Sequence, residues 1–316
     1  MTQPTGTHST YDTIGIRDDL EGAIYKVDPA DTPFFAMVEK TTVKQIKHEW
    51  QTQSLAAANG SNAVIEGDDA TTDAAVATIR LDNYTQISDK VAQVSGTNRS
   101  VEAAGRGDEL AYQLVLKGME LRRDIETILL ANQAKVAGND TTARLIGGIE
   151  SWIATNSDEA GDGTAPTGDG SDARADGTAR AFTEDQLKDV LQSCWTNGGK
   201  PDTLMMGAFN RRQFSTFTGA STRFDAGDDK KLVASIELYV SDWGEIKAVP
   251  NRFMRASSAL ALDTDFWCIG FLRGRRFRLH PLAKTGDTDR HQILAEYTLV
   301  AKNEKASGIV ADLTSS

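Results

Sequence analysis

DELAYQLVLKGMELRRDIETILLANQA, residues 108–134, is the stretch on which the reading of the fold turns. Gly105-Arg106-Gly107 breaks the chain ahead of it, and Asp108 has the short acceptor side chain of a helix N-cap. Leu110, Leu114, Leu121, Ile125 and Ile128/Leu129 recur at helical spacing, with Gly118 as a small residue on the same stripe. Glu120, Arg122, Arg123, Asp124 and Glu126 fill the wetter faces. At ~1.5 Å of rise per residue the helix would be roughly 40 Å long. That is long for a globular domain and suits a spine along which other elements pack.

Upstream of the spine the chain is strand-like. Residues 41–51, TTVKQIKHEWQ, alternate: Val43, Gln45, Lys47 and Glu49 oppose Lys44, Ile46, His48 and Trp50. A small, polar stretch follows, and VATIRLDNYTQISDKVAQVSG then resumes the alternation with β-branched residues. Two strands separated by a long loop bury little of themselves and need a neighbour to lie on. Residues 1–40 are polar with short apolar clusters, Tyr11, Ile14 and Ile16, then Pro33-Phe34-Phe35-Ala36-Met37-Val38. They are read as an extended arm laid on a surface, against the alternative of a disordered leader.

Downstream, Gly147-Gly148 precedes an apolar packing segment with Ile149, Trp152 and Ile153. Residues 156–181 are loop by composition. A second helix is expected from after Thr183 to about Asn197, with Leu187, Val190, Leu191 and Trp195 apolar and Gly198-Gly199-Lys200-Pro201 stopping it. LMMGAF is a short buried-type run, RRQFSTF reads as helix, and TGASTRFDAGDDKKL is polar loop. IELYVSDWGEIKAVP, ALALDTDFWCIGFL and the block from Arg276 onward read as strands. The fold class is α+β.

Composition narrows the function. The 316 residues are 40% hydrophobic and 25% charged, ordinary for a soluble globular protein. A net charge of −11 repels phosphate on average and argues against a dedicated nucleic-acid reader. Two cysteines, Cys194 and Cys268, make neither a disulfide framework nor a metal site, and Cys194 reads as a buried structural thiol. His8, His48, His280 and His291 have no metal-ligand spacing, and there is no phosphate-binding Gly-rich loop or GxSxG elbow. Asp68, Asp69 and Asp73, like Asp158, Glu159 and Asp162, read as solvated loop acids, with incidental cation binding as the other reading. No run approaches the ~18–20 apolar residues of a membrane span, and MTQPTGTHST lacks the features of a secretory signal. No catalytic set, cofactor site or metal site is expected. The one cationic concentration is Arg273-Gly274-Arg275-Arg276-Phe277-Arg278. On a strand, Arg276 and Arg278 would share a face and Arg275 take the other. Two readings stand for it: salt bridging to an acidic neighbour, or an inner surface that tolerates packaged DNA.

The order arm, long hairpin, spine helix, mixed module, closing sheet resembles the Hong Kong 97-type capsid fold. Local sequence is similar to the SU ten-type major head (major capsid) protein family of tailed bacteriophages. The resembling stretches are TPFFAMV (32–38), HEWQTQSLAAAN (48–59), the VSGT…AGRGDELAYQL…ELRRDIETILLANQ run (94–133), GGIESWI (147–153), Trp195…Gly198-Gly199-Lys200-Pro201, and PLAKTGDTDR…EYTLVAKNEKASG (281–308). Their collinearity over most of the chain is the specific part.

The resemblance implies a structural subunit, not an enzyme, that self-assembles as pentamers and hexamers into an icosahedral head around double-stranded DNA. It divides the chain into an N-terminal arm (1–40), an E-loop hairpin (41–96), a P-domain with the spine (97–154), an A-domain (155–270) and closing P-domain strands (271–316). The loop at 218–231 is the candidate axial tip. Implied partners are further copies of the chain, portal, scaffold and cement or decoration proteins, and non-specific contact with packaged DNA, with no membrane. The scaffold is expected to be a separate protein, without N-terminal cleavage and without crosslinking through Lys44 or Lys47. The location is the virion, after assembly in the host cytoplasm. Candidate intersubunit contacts are Phe34, Phe35, Trp50, Leu55, Val64 and Ile65; for Trp50 the alternative is packing within its own chain. Candidate inner-face residues are Arg275, Arg276 and Arg278. An encapsulin-like nanocompartment shell, which shares the fold, is the alternative function.

Overall fold

The computed structural model describes residues 29–70, 72–101, 107–217 and 238–315. Most of the expected arm and the expected axial tip at 218–231 lie outside them. In chain order the elements are α1 (Pro33–Met37), β1 (Glu39–Val43), β2 (Lys47–Thr52), β3 (Ile79–Tyr84), β4 (Gln86–Ser95), α2 (Gly96–Ser100) and α3 (Glu109–Leu129). There follow β5 (Ser157–Asp158), α4 (Glu184–Thr196), β6 (Thr203–Met206), α5 (Ala208–Phe214), β7 (Leu238–Ser241), β8 (Gly244–Pro250) and β9 (Ala259–Leu262). The chain closes with β10 (Trp267–Leu272), β11 (Arg278–Pro281), β12 (Thr288–Ala301) and β13 (Gly308–Val310). The architecture is mixed α+β.

Helix α3 is the spine, and its stripe is where the residue spacing puts it. Leu110, Leu121, Ile125 and Leu129 are buried, and Leu114 and Ile128 pack at the margin of the core. Asp108 caps the first turn by accepting from the Leu110 N–H. Three expectations are corrected. The helix ends at Leu129, so its 21 residues span about 32 Å. The segment 145–148 crosses its end: the Gly148 N–H donates to the Gln133 carbonyl, and the Gln133 side chain donates to the Ile146 carbonyl. Gly118 faces open space and packs against nothing. Glu126, expected on a wet face, is fully buried.

Strand β12 organises the first sheet. Residues 288–297 pair antiparallel with β4 along one edge, while β11 and then β10 pair along the other. β1 adds to β10 in parallel. The expected single strand over 41–51 is therefore two. β1 stays in the sheet, and after residues 44–46 β2 leaves to pair with β3 in a separate two-stranded ladder. The second sheet has the order β5-β13-β9-β6-β8-β7. Alternation along its strands splits their side chains between two cores. Leu204 and Met206 face the α4 side with Leu187, Val190, Leu191 and Cys194. Met205, Leu260, Leu262 and Ile309 face the spine side with Trp152, Trp267 and Tyr297. The sheet is thus a wall shared by both cores. The closing segment 271–316 divides between the sheets, because β13 joins the second.

Helix α4 starts as expected, with Thr183 and Gln186 forming a reciprocal capping box. Trp195 is not on its buried stripe: it is 60% exposed, and Cys194 holds the buried position beside Leu191. The Arg-rich segment is not a continuous strand either. Gly274 and Phe277 both have positive φ, the Arg275 N–H donates to the Leu272 carbonyl, and only Arg278 enters β11. The face alternation expected for Arg275, Arg276 and Arg278 therefore does not hold.

Candidate assembly surface

The β2–β3 ladder is the root of a long excursion. Its register runs from Lys47 opposite Tyr84 to Thr52 opposite Ile79. Glu49 pairs with Lys47 at 3.1 Å and with Arg80 across the ladder, and these two cations hold its carboxyl below the usual range. Trp50 lies on Trp152 with ring centroids 5.3 Å apart, and His48 stacks behind it at 5.9 Å. Trp50 therefore packs on its own chain, and burial lowers the His48 pKa. Lys135 ties the root down from below, donating to the carbonyls of Asp82 and Asp169.

Beyond the root, every described residue from 53 to 80 is exposed. Leu55 is 96% exposed, Val64 84% and Ile65 79%. Burying one such side chain is worth roughly 1.5–3 kcal/mol, so three left in water are a standing drive towards a partner. Bonds in the excursion are local: Gln53 donates to the Val76 carbonyl, and the Asp68 N–H to the Ile65 carbonyl. Thirteen residues out and thirteen back give a reach of up to about 40 Å.

Phe34 and Phe35 separate at the foot of the arm. Phe34 is fully buried in the spine-side core, so as a candidate intersubunit contact it is corrected: its own chain occupies it. Phe35 is half-buried against Phe271 and Phe277. Both take their position from Glu126, whose carboxylate accepts the Phe34 N–H at 2.8 Å, the Phe35 N–H at 2.7 Å and the Asn251 amide at 2.7 Å. The acid thereby caps the first turn of α1 from the last turn of the spine. Burial raises its pKa, against the pull of those three donors.

Arg275 is engaged within the chain. Its guanidinium lies 2.6 Å from buried Glu296, which also holds Arg144 at 2.8 Å and accepts from Thr85. Arg276 and Arg278 are exposed, and among the described residues neither makes an ion pair. Arg276 stands over the Phe271 ring at 5.1 Å. Glu126 and Glu296 do the most to organise the surface; sequence reasoning placed Glu126 on a wet face and passed over Glu296. The one signal, for Glu296, was a lone acid inside an apolar run.

Neither cysteine is placed as a nucleophile. Burial pushes the Cys194 thiol up to about 12 and also raises Cys268, away from reactive thiolates. Among the described residues no group of three or more His, Cys, Asp or Glu is placed to hold a metal, and no helix is long and apolar enough to cross a membrane.

Comparison with known proteins fits a surface built for self-association. A family model described as SU10 major capsid protein matches residues 3–314. The major capsid protein of Escherichia phage Phieco32 is 28% identical over 98% of this chain and 97% of its own. Among solved structures, a chain from Gordonia phage Cozz has a similar fold, with a TM-score of 0.64, 11% identity, and coverage of 99% of this chain and 98% of that one. A chain of the capsid asymmetric unit of cyanophage A-1(L) is similar at a TM-score of 0.63, with 13% identity and coverage of 97% and 98%.

Proposed function

Because the chain belongs to the SU10 major capsid protein family, we propose that it builds a closed icosahedral phage head from pentamers and hexamers of itself, enclosing double-stranded DNA. The one observation that carries this reading is the excursion at 53–78. It is exposed along its described length, apolar at Leu55, Val64 and Ile65, and useless to a solitary subunit. In a shell, one sequence supplies both sides of every contact, and many modest contacts sum.

The Hong Kong 97-type parts map onto the elements as follows. The N-terminal arm is 1–40, the E-loop hairpin 41–96, the P-domain 97–154 with 271–316, and the A-domain 155–270. Leu55, Val64 and Ile65 are the intersubunit contacts we favour, with Phe35 as a secondary one. Trp50 stiffens the hairpin root. Arg276 and Arg278 remain for an anionic partner outside the chain. Assembly in the host cytoplasm, with portal, scaffold and cement proteins as partners, follows from the same reading. The encapsulin-like alternative draws no support from the likenesses, which are to phage proteins.

The test uses the ladder geometry. Thr52 and Ile79 are directly paired, so replacing residues 53–78 with Asn-Gly closes a two-residue hairpin without disturbing the root. The variant is expected to fold with the parent's stability in urea unfolding but to form no shells. Normal shells from it would remove the hairpin from the mechanism.

A further inference from the structure

Asn-Gly occurs twice in this chain, at Asn59-Gly60 and Asn197-Gly198, and the fold treats the two pairs oppositely. Glycine has no side chain to crowd its backbone nitrogen. That nitrogen can therefore reach the Cγ carbon of the preceding asparagine and close a five-membered ring. Ring closure needs a free nitrogen, an open amide and a backbone that brings the two together. Asn197 is denied all three. It is the C-cap of α4 with a ψ of 2°, which eclipses the Gly198 nitrogen with Asn197's own nitrogen and turns it away from the side chain. The Gly198 N–H donates to the Trp195 carbonyl at 3.0 Å. The amide nitrogen that would have to leave is held as well, donating to Asn156 Oδ1 at 2.9 Å and to the Ser193 carbonyl at 3.0 Å.

At Asn59 the arrangement is reversed. Asn59 and Gly60 are both exposed, and a Cβ placed on Gly60 would meet nothing. Among the described residues the Gly60 N–H and the Asn59 amide nitrogen make no hydrogen bond. The one bond that is made falls on the atom that matters: the Ser61 N–H donates to Asn59 Oδ1 at 2.9 Å. Negative charge collects on Oδ1 as a nucleophile adds to Cγ, so this donor folds the amide back over its own backbone and stabilises the developing oxyanion. We propose that Asn59 is a site of spontaneous covalent modification, converted to aspartate and isoaspartate with Gly60 as the nucleophile and the Ser61 N–H as the positioning donor. The Gly60 nitrogen gives up its proton and bonds to Asn59 Cγ, while the Cγ–Nδ2 bond breaks and the nitrogen leaves as ammonia. Water then opens the resulting succinimide. Cleavage at Cγ leaves an ordinary aspartyl link, and cleavage at the backbone carbonyl leaves a β-linked isoaspartyl residue. No oxidant, reductant or enzyme is needed. Either product adds a carboxylate to an excursion that already carries Glu66, Asp68, Asp69 and Asp73 and has no Lys or Arg between Lys47 and Arg80. The β-linked product also lengthens the backbone by one carbon between Leu55 and Val64. This chemistry belongs to the single chain and holds whether or not the excursion meets a neighbour.

Peptide mapping by mass spectrometry of the folded, full-length chain, incubated in heavy-oxygen water at neutral and mildly alkaline pH, tests it. The peptide holding Asn59 is expected to lose ammonia, take up heavy oxygen and split into aspartyl and isoaspartyl forms, faster at the higher pH because the attacking nitrogen must shed its proton. Conversion at Asn59 is expected to outrun that at Asn197 ~10-fold or more, since only one nitrogen is placed to attack. Asn62 is a control in the same loop: it is equally exposed, but Ala63 follows it, and it is expected to lag. Unfolding in guanidinium frees Gly198, and Asn197 is then expected to catch up with Asn59. Gly60→Ala leaves the fold alone, because its Cβ has open space, and is expected to slow conversion ~10-fold or more by crowding the nitrogen. Ser61→Pro removes the donor and is expected to slow ring closure several-fold without changing the ratio of the two products, which is set at ring opening. Equal rates at Asn59 and Asn197 in the folded chain, Asn62 keeping pace with Asn59, or no effect of Gly60→Ala overturns the proposal. An unchanged rate in Ser61→Pro overturns the part given to that N–H.

Discussion

Three donors close on Glu126, a carboxylate with no exposed surface in the last turn of the spine. Glutamine keeps the shape but turns one acceptor oxygen into a donor facing a donor. Glu126→Gln is therefore expected to lower unfolding stability by about 1–3 kcal/mol in urea titration. The pH dependence has a definite sign. Burial raises the folded pKa above the ordinary 4.5, so the folded chain takes up this proton more readily than the unfolded one. The contribution is fully present below about pH 4.5 and is lost as pH rises through the raised value. That component should vanish in the variant, and a variant with the parent's slope would exclude Glu126 as its source. No local pattern could have marked this residue. Its partners lie 92, 91 and 125 positions away, and helical spacing alone put it on a wet face. Trp195 misled in the opposite direction: aromatic character suggested the core, but the stripe through Leu187, Val190, Leu191 and Cys194 leaves it outside.

At the scale of elements, periodicity was a good guide to what forms and a poor one to where it stops. The spine, the α4 helix with its Thr183 cap, and the strands on either side of residues 53–78 were all legible, because hydrophobic period and caps are local. The end of the spine was not, because a distant segment terminates it. A Cβ on Gly148 would stand 2.1 Å from the Ala131 carbonyl oxygen, and Gly148 has an ordinary φ, so the demand is for space alone. Gly148→Ala is expected to push the 130–148 connection off the helix end and cost about 1–3 kcal/mol. Urea midpoints equal to the parent's would mean that the connection relaxes freely. The Arg-rich turn was misread for a related reason. Its bend is set by pairing of residue 275 with β12, and a run of arginines carries no trace of that.

For the whole molecule, two cores share one sheet, and the chain crosses between them repeatedly, finishing with β13 in that wall. These two cores, sharing one sheet, carry a long exposed limb. The α+β class and the family resemblance were both available from collinear stretches, whereas the shared wall was not, because it depends on strands 259–262, 203–206 and 308–310 meeting. A body that is finished internally and a limb that is not together argue for assembly, and electron microscopy of the purified full-length chain tests that claim most directly. The account predicts closed icosahedral particles from the native chain and only small, monodisperse protein from the Asn-Gly hairpin variant. Small, monodisperse protein from the native chain, or indistinguishable shells from both, would contradict it.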